Sequence, residues 1–118
     1  NTFNKMLTIY HNPQCSKSRK TLEIILKRTK DVEIVEYLRT PPTKQDLRKI
    51  LKKLNLTVIQ IVRTKEKEFQ EIINKDLSDE ELMDLIVHNP ILLERPIVIN
   101  GKNAIIGRPP ENVLKLLK

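Results

Sequence analysis

Met6-Leu7-Thr8-Ile9-Tyr10 is a short apolar run, β-branched in part, that empties into the polar turn His11-Asn12-Pro13-Gln14-Cys15. Such a run reads as a strand. From about Ser18, apolar residues recur at Leu22, Ile25 and Leu26. That spacing predicts an amphipathic helix ending near Arg28. Val32-Glu33-Ile34-Val35-Glu36-Tyr37 then reads as a second strand. Strand, helix and strand at these lengths imply a right-handed crossover and parallel pairing. The polar turn therefore falls at the C-terminal end of a strand, where open α/β sheets place their ligands.

Thr40-Pro41-Pro42 ends this unit, and a helical stretch follows. Thr43 is a candidate N-cap with Asp46 three residues on, and Leu47, Ile50, Leu51 and Leu54 share a helical face. Val58, Ile59, Ile61 and Val62 suggest a short helix leading into Arg63, and Phe69, Ile72 and Ile73 another turn or two. Ser78-Asp79-Glu80-Glu81 is a capping box opening a helix through Leu82, Leu85 and Ile86, and Asn89-Pro90 closes it. Pro96-Ile97-Val98-Ile99 and Asn103-Ala104-Ile105-Ile106 flank Asn100-Gly101, which predicts a hairpin. Gly107-Arg108-Pro109-Pro110 opens a last helix with Val113, Leu114 and Leu117 on its apolar side. The order is βαβ, a helical insert, then ββα. The fold expected is α/β and thioredoxin-like: a four-stranded mixed sheet with helices on both faces and a helical insertion between its halves. Residues 6–118 are read as one domain, with 1–5 a polar N-terminal extension. His-Asn-Pro occurs at 11–13 and again at 88–90, and nothing else repeats around those triplets.

The net charge of +7 invites a nucleic-acid reading. The excess, however, is mostly lysine alternating with Glu and Asp. The aromatic residues are only Phe3, Tyr10, Tyr37 and Phe69, too few for a stacking platform. No zinc-finger or Gly-rich phosphate loop is present. The expectation is no nucleic acid and no membrane, with the basic balance suited to a small anionic substrate. No run is long and apolar enough for a transmembrane helix, and no secretory signal precedes the domain. One cysteine cannot make an internal disulfide, which fits a reducing cytoplasm.

A lone cysteine is often a small buried hydrophobe. Cys15 instead lies in a polar turn with Lys17, Arg19 and Lys20 beside it. A thiol at the start of a helix meets free N–H groups and the positive end of the dipole, which favour thiolate and bind anions. His11, four residues earlier, either stabilises that thiolate as an imidazolium or is a turn histidine satisfying backbone groups. His88 stands near a helix C-terminus, which suits a partly positive ring. Arg63, Arg95 and Arg108 each follow an apolar segment in a loop. Arginine's fork grips tetrahedral oxyanions bidentately, as lysine cannot. Each alone reads as a surface charge. In the expected fold, Arg95 and Arg108 flank the hairpin strands and could reach the thiol. No carboxylate pair, metal cluster or hydrolase triad emerges.

Together His11-Asn12-Pro13-Gln14-Cys15-Ser16-Lys17-Ser18-Arg19, Tyr37-Leu38 with Pro41-Pro42, His88-Asn89-Pro90 with Arg95-Pro96-Ile97-Val98, and Gly107-Arg108-Pro109 resemble the glutaredoxin-coupled arsenate reductases of the ArsC type. The resemblance runs from about Met6 to Lys118. It implies a thioredoxin-like fold, arsenate as substrate, and Cys15 as the nucleophile that forms a thiol–arsenate adduct. It also implies glutathione as co-substrate, glutaredoxin as partner and no bound cofactor or metal. Arg63, Arg95 and Arg108 would bind the oxyanion, and His11 would help lower the thiol pKa. Small relatives with the same cysteine loop have no assigned substrate, so the alternative is a thiol protein that works on glutathione or glutaredoxin with a substrate other than arsenate. Another branch of the same superfamily, the Spx-type regulators, binds RNA polymerase and switches through a Cys-x-x-Cys pair. Here Ser18 fills that second position, so no internal dithiol switch can form.

Overall fold

The computed structural model describes residues 6–72 and 75–117. Ile73 falls outside them. The chain divides into two compact units, one of Asn1–Thr40 with Arg95–Lys118 and one of Pro41–Glu94.

The first unit holds the sheet. Strands β1 (Leu7–His11), β2 (Val32–Glu36), β3 (Ile97–Asn100) and β4 (Asn103–Ile106) lie in the order β2-β1-β3-β4. β1 pairs parallel with β2 and antiparallel with β3, and β3 pairs antiparallel with β4. This is the mixed thioredoxin-like sheet that the element order implied. Helix α1 (Ser16–Leu26) crosses between the two parallel strands. Side chains alternate along a strand, so Leu7, Ile9 and His11 share one face of β1, and all three are buried. Leu7 and Ile9 join Ile25 of α1, Val98 of β3, and Val113 and Leu116 in one apolar cluster.

Three expectations shift in detail. β1 runs one residue further than the apolar run, so His11 is a strand residue and not a turn histidine. The hairpin loop is Gly101-Lys102, because Asn100 pairs with Asn103 across the ladder. Gly101 takes φ 63, the positive value that the first loop position of a two-residue hairpin needs. The last helix is a 3-10 helix over Pro110–Leu116. Three residues per turn put Val113 and Leu116 on one side, so they are buried while Leu114 is partly exposed.

The face α1 buries also differs from the one its apolar residues suggested. Ser18, Thr21 and Ile25 are buried, whereas Leu26 is 46% exposed. Thr21 meets Gly107 so closely that a Cβ there would come within 2.6 Å of Thr21 Oγ1 and 2.8 Å of Pro96 Cγ. The peptides Arg95–Pro96 and Arg108–Pro109, on either side of this junction, are both cis.

The second unit is helical: α2 (Lys44–Leu54), a 3-10 turn over Val58–Ile61, α3 (Lys67–Gln70), α4 (Asp79–His88) and a 3-10 turn over Pro90–Leu92. Both predicted capping boxes form. Asp46 N–H donates to Thr43 Oγ1 at 3.0 Å and Glu81 N–H to Ser78 Oγ at 3.1 Å, each returned by the carboxylate. His88 donates from Nδ1 to the Asp84 carbonyl, as befits the last turn of α4. α4 packs against α2 and both 3-10 turns, and Leu47, Ile61, Ile86 and Leu92 are buried.

Replacing Gly107 by Ala should destabilise the protein by about 1–3 kcal/mol, because Thr21 and Pro96 would both have to move. The urea unfolding midpoint of Gly107→Ala against wild type measures this.

Candidate active site

Cys15 is the N-cap residue of α1, with extended backbone at φ −96 and ψ 122. Asn12 builds the turn that carries it. The Asn12 Oδ1 accepts from Gln14 N–H at 2.9 Å, and the Asn12 carbonyl accepts from Cys15 N–H at 3.0 Å. Arg19 reaches back from α1 and donates to the Pro13 carbonyl at 2.8 Å. The turn is thus tied at both ends, and the half-buried sulfur is held over the first turn of the helix.

Burial pushes the Cys15 thiol pKa up, but it is outweighed. The Ser18 N–H, the Arg95 guanidinium and the Lys17 N–H each favour the thiolate, and the net shift is downward. The sulfur makes no strict capping bond of its own. What favours the thiolate is the pair of amide groups in the first turn together with one cation, the physics expected of a thiol at a helix N-terminus.

His11 sits under α1 because strand alternation aims it there. Its Nδ1 lies 2.6 Å from Ser18 Oγ, and the same oxygen accepts from Asn12 N–H at 3.0 Å. Burial lowers the His11 pKa below its ordinary value; Glu36 opposes this and Arg19 adds to it. At neutral pH the ring is therefore chiefly neutral and bonded to Ser18. It meets the loop through Ser18, and the imidazolium suggested from its spacing to Cys15 is disfavoured. Ser18 is fully buried and works twice, its N–H facing the sulfur and its hydroxyl holding His11 and the Asn12 peptide. Asn12 and Ser18 were not among the candidates. Their sequence signal was their place in the His11–Arg19 stretch that carries the family resemblance.

Of the arginines, Arg95 is buried at 8% exposure, and its guanidinium is the one that lowers the Cys15 pKa. Arg108 donates from Nη1 to the Arg95 carbonyl at 3.0 Å. Cys15, His11, Arg95 and Arg108 thus belong to one connected set in the first unit. Arg63 belongs to the helical unit. There its N–H donates to the Leu92 carbonyl and its Nε pairs with Glu66 at 3.0 Å. A groove of about 400 Å³ along α1 is lined by His11, Arg19, Leu22, Glu23, Leu26 and Lys27; Cys15 is not among its lining residues.

The sequence model of the ArsC family matches residues 10–116. This chain belongs to the ArsC family. An arsenate reductase of Haemophilus influenzae is 46% identical over 112 residues, which is 92% of this chain and 97% of that protein. An Escherichia coli protein named only as uncharacterized protein YfgD is 43% identical over 116 residues, covering 96% and 98% of the two chains. The solved structure of an arsenate reductase from Vibrio cholerae superposes with a TM-score of 0.90 at 38% identity, over 94% of this chain and 97% of that one. Among the described residues of this ArsC-family chain, no helix is long and apolar enough to cross a membrane.

The geometry predicts that iodoacetamide alkylation of Cys15, followed against pH, has its midpoint below the about 8.5 of a free thiol. A midpoint at or above that value would contradict the anion-stabilising turn.

Proposed function

We propose that this protein reduces arsenate to arsenite with Cys15 as the nucleophile. The observation that carries the reading is the half-buried sulfur at the start of α1, with two amide N–H groups and the Arg95 guanidinium turned on it. A thiolate held in this way attacks an oxyanion whose own charge the same cation offsets. The named arsenate reductases among its relatives support arsenate as that oxyanion.

In the proposed reaction the thiolate bonds to As(V) and an arsenic oxygen leaves as water. Glutathione and then glutaredoxin supply the two electrons. As(V) becomes As(III), two thiols become one disulfide, and arsenite departs. Arg95 binds the oxyanion beside the sulfur. Arg108 and Arg63 supply further guanidinium groups, and His11 acts on the loop through Ser18. The proposed reaction requires no bound cofactor or metal, and its thiol reductants suit a reducing cytoplasm.

A second reading has its own support. Arg108 already serves the Arg95 carbonyl, and Arg63 already pairs with Glu66. A thiol protein that works on glutathione or glutaredoxin with a substrate other than arsenate needs Cys15 and Arg95 more than it needs those two. Stable glutathionylation of Cys15 without arsenate turnover would favour it.

The deciding measurement is arsenate-dependent glutathione oxidation in the presence of glutaredoxin. Wild type should turn over and Cys15→Ser should not. Arg95→Lys should slow turnover about tenfold or more, since a point charge loses the fork geometry of a charge-assisted bond worth roughly 1.5–3 kcal/mol. Inactivity of the wild type with arsenate would sink the proposal.

A further inference from the structure

Arg95 stands outside the sheet that should steady it. The β3–β4 ladder ends at the pair Ile97 and Ile106. One more bond continues it, from Gly107 N–H to the Pro96 carbonyl at 2.9 Å. Pro96 and Pro109 have no N–H, so the backbone at these two positions has no donor to offer. The Arg95 carbonyl lies one residue beyond the Pro96 carbonyl, and there a side chain takes over: Arg108 donates Nη1–H to it at 3.0 Å. Arg108 is itself set by its neighbours. Its N–H donates to the Ile106 carbonyl at 2.9 Å, and its carbonyl accepts from Asn112 Nδ2 at 3.1 Å. Gly107, just before it, is pressed against Thr21 of α1, the helix that carries Cys15. A continuous path of contacts therefore runs from α1 through Gly107 and Arg108 to the backbone of Arg95.

We propose that Arg108 is a positioning residue: its guanidinium pins the Arg95 carbonyl, and so fixes the guanidinium that Arg95 presents to the Cys15 sulfur. This goes beyond a role as one more oxyanion ligand. It means that Arg108 acts on the thiolate before any substrate arrives, and acts through Arg95. A charge-assisted donor on a carbonyl is strong enough to hold a loop peptide that the ladder does not reach.

The inference deepens the proposed function, since it concerns the same thiolate, but its test needs neither arsenate nor reductant. Cys15 alkylation is followed against pH in wild type, Arg108→Met, Arg95→Met and the double variant, with circular dichroism confirming the fold of each. Arg108→Met should raise the alkylation midpoint by about half to one pH unit. In the Arg95→Met background the same change should add nothing, because the intermediary is gone. Arg108→Lys, which keeps the charge and one donor, should give a smaller rise that also vanishes in that background. It serves as the readout if Arg108→Met does not fold. Additive shifts would show that Arg108 acts on the sulfur directly, and an unmoved midpoint in folded Arg108 variants would show that it does not act on it at all. Either result overturns the inference. A failed arsenate assay alongside a non-additive cycle would overturn only the choice of substrate.

Discussion

Ionising the sulfur at the first turn of α1 depends on its surroundings. Removing it partly from water costs the thiolate hydration, and that cost must be met by fixed dipoles and a cation. Here Ser18 N–H, Arg95 and Lys17 N–H oppose it, and the net shift of the thiol pKa is downward. Each of these groups works only if it is held still. Much of the first unit can be understood as the means of holding them: the Asn12 turn, the Arg19 staple to Pro13, and the buried Ser18 hydroxyl.

The same balance explains why polar side chains occupy the interior under α1. Ser18 and Thr21 are fully buried, and each has hydrogen-bond partners. Buried hydroxyls without partners would be costly. With partners they specify one arrangement of the loop, where an apolar pair would allow several. His11 completes this interior as a neutral ring, which burial favours over the charged form.

The elements that could be read from neighbouring residues were legible. Thr43 with Asp46 and Ser78 with Glu81 announce their helices because a capping box is complete within four residues. The β-branched runs on either side of Gly101 announce the hairpin for the same reason, although the ladder register moved the loop by one residue. Cys15, at the junction of strand and helix, was visible as the candidate nucleophile. Less legible was which side of α1 is buried. Leu26 reads as core and is exposed, because the helix is rotated by what it packs on, chiefly Gly107 and the apolar cluster below it.

By itself, then, the sequence determined the order of strands and helices, their caps and turns, and the thiol proposed to carry the chemistry. All of these depend on atoms a few residues apart. Only the tertiary structure decided that Arg95 acts on the sulfur, that Arg108 gives a donor to the Arg95 carbonyl, and that Ser18 links His11 to the loop. The first two join residues distant in sequence, and all three depend on how strand alternation and helix rotation aim side chains once the sheet has formed. A guanidinium reads the same in the sequence whether it faces a thiolate, a carbonyl or water; the folded chain around it determines which.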